Sequence, residues 1–74
     1  MPHTETDRLL AIGINATMSL AALDKHPEWV RDEYGPMSPQ WLRELRQGAA
    51  DRLAEIHPTT TATEWLTRLK EQTR

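Results

Sequence analysis

The residues able to do chemistry are few and do not converge on paper. The chain has three histidines, His3, His26 and His57. Each falls at the end of an element, and no two have the i, i+4 helical spacing that brings ligands onto one face. Asp24, His26 and Glu28 are close in sequence, as acidic and imidazole groups often are in a solvated loop. A structural zinc site normally wants thiolates beside its histidines, and the chain has no cysteine. No metal and no cofactor is therefore expected, and His26 and His57, each followed by a proline, read as helix-end residues.

Acid–base catalysis needs titratable groups pushed apart in a pocket. Asp32 and Glu33 are adjacent and read as a solvated face. Ser19 lies in an apolar run and Ser38 is better explained as a helix cap, so neither resembles an activated nucleophile. The three glycines, Gly13, Gly35 and Gly48, are too widely spaced for a phosphate-cradling loop. The expectation is a non-catalytic protein.

The elements that position these groups are helices. Leu, Ala, Glu and Arg dominate, phenylalanine is absent, and no β-branched or aromatic run alternates as a strand would. The first helix starts at a cap on Thr4 or Thr6, with Glu5 and Asp7 at the positive end of its dipole, and runs to about Leu23 or Asp24. From Leu9 to Leu23 there is no charge. Leu9, Ile12, Ala16, Leu20 and Leu23 form one stripe and Leu10, Ile14, Met18 and Ala21 another, so both sides of this helix call for cover.

Pro27 opens a short helix reaching about Tyr34, with Trp29, Val30 and Tyr34 facing inward, and Gly35-Pro36 stops it. Ser38 caps the next helix, with Pro39 at its first position. Its seam is Leu42, Leu45, Ala49, Leu53 and Ile56, with Trp41 at the edge; Gly48 reads as the mark of a close crossing. Pro58 ends it. A last helix follows from Thr61 or Thr63, where Thr61 and Glu64 have the spacing of a capping box, and Trp65, Leu66 and Leu69 form its seam.

The expected fold is all-α: one domain over residues 1–74, a compact bundle of three main helices plus one short helix, completed by self-association. At 74 residues the chain buries a smaller share of its surface than a large protein does. Without disulfides or metal, small domains gain stability by association or unusually good packing. Gly13, Ala16, Thr17 and Ala21 are the expected self-association residues, because small side chains let a second helix approach, most simply in a twofold dimer. The apolar run is too short to span a bilayer, which takes about 20 residues, and it follows acidic rather than purely basic residues. A cytoplasmic location without membrane attachment is expected.

The favoured function is a protein–protein interaction or regulatory module of adaptor or inhibitor type, as a homodimer with a protein partner. Trp29, Trp41 and Trp65 supply core area, and Trp41, at the edge of its seam, is the one expected to face a partner. The alternative is a helix-turn-helix-like DNA-binding regulator contacting phosphates through Thr60, Thr63, Arg68 and Lys70. Nine basic against eleven acidic residues give a formal charge of −2, which disfavours a dedicated nucleic-acid binder.

Overall fold

Thr4 begins the first helix by closing a reciprocal cap. Its hydroxyl accepts the Asp7 N–H at 3.1 Å, and its own N–H donates to the Asp7 carboxylate at 3.3 Å. Two of the free donors at the helix start are thus satisfied by one pair of residues. The computed structural model describes residues 4–73, and in it helix α1 spans Glu5–Lys25. It closes at His26, whose N–H reaches the Ala22 carbonyl at 2.9 Å.

The short helix expected up to Tyr34 is a single 3-10 turn, Pro27–Trp29, held by the Val30 N–H on the Pro27 carbonyl. The residues beyond it, Arg31 to Gly35, offer no apolar face, and an isolated turn without tertiary packing does not propagate. The inward expectation for Trp29 and Tyr34 is corrected with it: they are 56% and 73% exposed. Val30 is half-buried.

Helix α2 spans Pro39–Ile56 and is capped as expected, with the Ser38 hydroxyl accepting the Trp41 N–H at 3.1 Å. Helix α3 spans Ala62–Gln72, and the Thr61 hydroxyl accepts the Glu64 N–H at 3.2 Å, the threonine half of the expected box.

The three helices run up, down and up. Arg52, near the end of α2, bonds Glu5 at the start of α1 at 2.9 Å. The α2 start lies beside the second half of α1, where Leu42 and Trp41 line one hollow with Ala16 and Ser19. Leu9 and Leu10 of α1 pack against the cluster that Trp65 of α3 forms with Ala50 and Leu53, and Leu69, one turn after Trp65, packs on Gly13. Helix α3 therefore runs parallel to α1, and α2 antiparallel to both. At about 1.5 Å per residue, α3 is too short to cover the whole of α1.

The core consists of Ala16, Leu42, Ala49, Ala50, Leu53, Trp65 and Leu69. Complete burial of Leu42, Leu53 and Leu69 contributes roughly 1.5–3 kcal/mol each. The close crossing expected at Gly48 occurs at Gly13 instead. A Cβ added to Gly48 would meet open space, whereas one on Gly13 would press on Leu69. Leu45 is at the exposed edge of its seam and Ala50 is sealed within the core, because α2 is wedged between two helices and buries a wider arc than one stripe. The architecture is all-α, with three helices and no strand among the described residues.

Two contacts tie the start of α1 to the end of α2. His57, the α2 C-cap, shares a hydrogen bond with the Thr6 hydroxyl through Nε2 at 2.9 Å, and its ring tilts against Trp65. Arg52 bridges Glu5 and Glu55 at 2.9 and 2.8 Å. The Glu55 hydrogen bond, then Glu5, push its guanidinium pKa up from an already high value.

Candidate functional site

The amphipathic patterns of α1 and α2 leave apolar side chains on the flank that α3 does not reach. There the two helices enclose an open groove of about 250 Å³, lined by Ile12, Ala16, Met37, Trp41, Leu42 and Leu45. Ala16 and Leu42 form the buried floor, and Ile12, Met37, Trp41 and Leu45 form exposed walls. The groove continues past Ser19 and Met37 into a second hollow of about 360 Å³ that reaches Trp29, Arg31 and Asp32. The floor is apolar, with charge confined to one end.

Local geometry sets each wall. Trp41 is fixed by the Ser38 cap, which holds its backbone N–H. Trp29 stacks on His26 with ring centroids 4.0 Å apart and planes 16° from parallel, and the His26 Nδ1 lies 3.3 Å from the Glu28 carboxylate. Met37 is the unusual member. Its φ is 68°, a left-handed conformation that costs an L-residue with a side chain roughly 1–2 kcal/mol. Gly35, at φ 100°, adopts positive φ without that steric cost. The Met37 side chain is 59% exposed, so packing does not repay the strain. Strain of this kind clusters at functional sites.

A second exposed apolar face runs along α1 beside α3. Leu10, Ala11 and Ile14 line a hollow near its start beside Asp7 and Arg8, and Met18, Ala21 and Ala22 line another near its end, next to Lys25, His26, Trp29 and Thr73.

The structure separates the residues expected to mediate self-association. Gly13, Ala16 and Thr17 are buried inside the chain's own bundle, while Ala21 is exposed. The Thr17 hydroxyl donates to the Gly13 carbonyl at 2.7 Å, and the close approach that Gly13 permits is made by Leu69 of α3. Gly13, Ala16 and Thr17 are thus occupied within one molecule, and of the four only Ala21 stays at the surface. Trp41 does reach the surface.

Of the four residues of the DNA-binding alternative, Thr63 and Lys70, seven positions apart on α3, share an exposed face. Thr60 is half-buried, with its N–H bonded to the His57 carbonyl. Thr63, Arg68 and Lys70 are exposed on α3. Two residues apart on a helix are about 200° apart around its axis, so Arg68 and Lys70 point to different sides. Arg68 lies over the Trp65 ring, 5.0 Å from its centroid, with its charge placed for a cation–π contact.

Among the described residues no three His, Asp or Glu side chains gather as they would around a metal ion. His3 lies outside the described residues. No helix among them is long and apolar enough to cross a membrane.

Sequence reasoning missed Ile12, Met37, Leu45 and Trp29 as surface residues. The available signal was Met37 itself, an apolar residue between Gly35-Pro36 and Ser38-Pro39 with no periodic partner to bury it. Comparison with known proteins gives no match to a family model, a curated protein or a solved structure.

Proposed function

We propose that this chain is a non-catalytic protein-interaction module of adaptor or inhibitor type, working in the cytoplasm as a homodimer that engages a protein partner through the α1–α2 groove. The observation that carries this reading is the groove itself, with Trp41 and a strained Met37 on its walls. Tryptophan and methionine are enriched where proteins meet, tryptophan as an anchor and methionine as an adaptable filler. An apolar trough with charge at one end suits an amphipathic partner helix that lays its apolar side chains along the floor. The absence of cysteine fits a reducing compartment.

The test is a comparative capture experiment with the native chain, Trp41→Ala and Leu45→Ala. Circular dichroism first establishes that all three are equally helical. A partner held by the native chain and lost from both variants supports the reading. A partner held equally by all three, or none held by the native chain, overturns it.

A further inference from the structure

The outward face of α1 carries a pattern that reads the same under a twofold rotation. Asp7, Ala11, Ile14, Met18, Ala21 and Lys25 succeed one another in steps of four, three, four, three and four. This is the heptad spacing of a helix seam that meets another helix. Ile14 is half-buried and the other five are exposed, so the chain's own bundle leaves the seam open. All its charge sits at the two ends, with an acid at the first and a base at the last.

We infer that a second copy of this chain docks here with its α1 antiparallel, about a twofold axis at the level of residue 16. In that register Ile14 faces Met18 of the second copy and Ala11 faces its Ala21. Asp7 faces its Lys25, and the twofold forms each of these contacts twice. Charge decides the orientation. A parallel pair would set Asp7 against Asp7 and Lys25 against Lys25, and like charges directly opposed are unfavourable. A shift by one heptad sets either Lys25 against Ile14 or Asp7 against Met18 and carries the other charge past the end of the seam, which fixes the register.

The surface shape agrees with this pairing. The hollow over Asp7, Leu10, Ala11 and Ile14, with Arg8 on its rim off the seam, and the hollow over Met18, Ala21, Lys25 and Trp29 occupy the two halves of the same face. The twofold lays one on the other, and the alanines at 11 and 21 allow the backbones to approach. The part of the α1–α2 groove lined by Ile12, Ala16, Trp41, Leu42 and Leu45 lies on the other flank of α1 and stays open to a partner, while Trp29 borders both surfaces. The inference rests on the self-association part of the proposed function and names its face and polarity.

The chain has no cysteine, so cross-linking reports the geometry directly. Ala11→Cys and Ala21→Cys, both at exposed positions, are prepared separately, mixed and oxidised. The expected product is the mixed disulfide dimer, with little product from either variant alone. Ala11→Cys pairing with itself as readily as with Ala21→Cys would overturn the antiparallel arrangement.

Sedimentation of the native chain at about 100 micromolar separates the remaining outcomes. A dimer that gives no mixed cross-link overturns this face while leaving self-association standing, and a monomer overturns both. Lys25→Glu replaces attraction by repulsion at both ends, and its dimer dissociation constant is expected to rise about tenfold. An unchanged constant would overturn the charge-set register.

Discussion

Gly13 and Leu69 meet where α1 and α3 cross: a Cβ built on the glycine would lie 2.7 Å from Leu69 Cδ1 and 3.3 Å from its Cγ. Leu69 is fully buried, so its side chain has little room to retreat. Gly13→Ala gains up to about 1 kcal/mol of helix propensity, but overpacking a filled core costs typically about 1–3 kcal/mol. The expected result is a net loss of about 1 kcal/mol, read as a Tm lowered by roughly 4–8 °C for a domain of this size.

Gly48→Ala is the matching control. The position is exposed within α2, and a Cβ there would touch nothing within 4 Å. Only the propensity gain remains, so stability rises by about 0.5–1 kcal/mol. A thermal melt in which both glycine variants move Tm in the same direction would contradict the assignment of the close crossing.

How much of this was legible beforehand divides along physical lines. The caps at Ser38 and Thr61 and the ends of α1 and α2 were readable because they depend on side chains reaching three or four residues along the chain. The α1 stripe through Ala16 was readable because periodicity fixes which residues share a face. That Gly13 admits a neighbouring helix was readable from its apolar surroundings; that the neighbour is the chain's own α3 was not, since Leu69 lies 56 positions away in the sequence. The groove was half legible: Trp41 stood out as an edge residue, but Ile12 and Leu45 belong to inward stripes by period and reach the surface only because α3 covers the other flank.

The Ser38 cap gives a second stability prediction. Its hydroxyl is buried and accepts the Trp41 N–H. Ser38→Ala leaves that donor without its side-chain acceptor, and stability falls by about 1 kcal/mol. Because the same bond steadies the backbone beneath Trp41, tryptophan fluorescence should shift in the folded variant as well as at the midpoint of its urea melt.

Arg52→Ala, by contrast, should change little. Both carboxylate contacts are at the surface, with about half of the arginine side chain exposed, and water screens such pairs so that they add no more than an ordinary surface substitution removes. The difference from the native chain should shrink further as salt is added, because exposed charges are screened. A loss well above that, persisting in high salt, would show that the contact matters through packing.

Trp65 is buried, and its indole N–H has no hydrogen-bond partner among the described residues. A buried donor left unpaired costs roughly 1–3 kcal/mol, which offsets part of what the large ring contributes by packing. Trp65→Phe keeps an aromatic ring and removes the donor, so its loss should stay within about 1 kcal/mol. Leu69→Ala empties a sealed site with no such compensation and should cost about 2–5 kcal/mol. Chemical denaturation of the two variants side by side gives the ranking.

The left-handed backbone at Met37 sets two kinds of selection against each other. Glycine or asparagine would relax that turn and make the protein more heat-resistant, yet either would strip a thioether from the rim of the trough. A library screened only for thermal endurance should therefore abandon methionine at this position, and one screened for partner capture should keep it. Where the two screens disagree, position 37 shows endurance being given up for recognition.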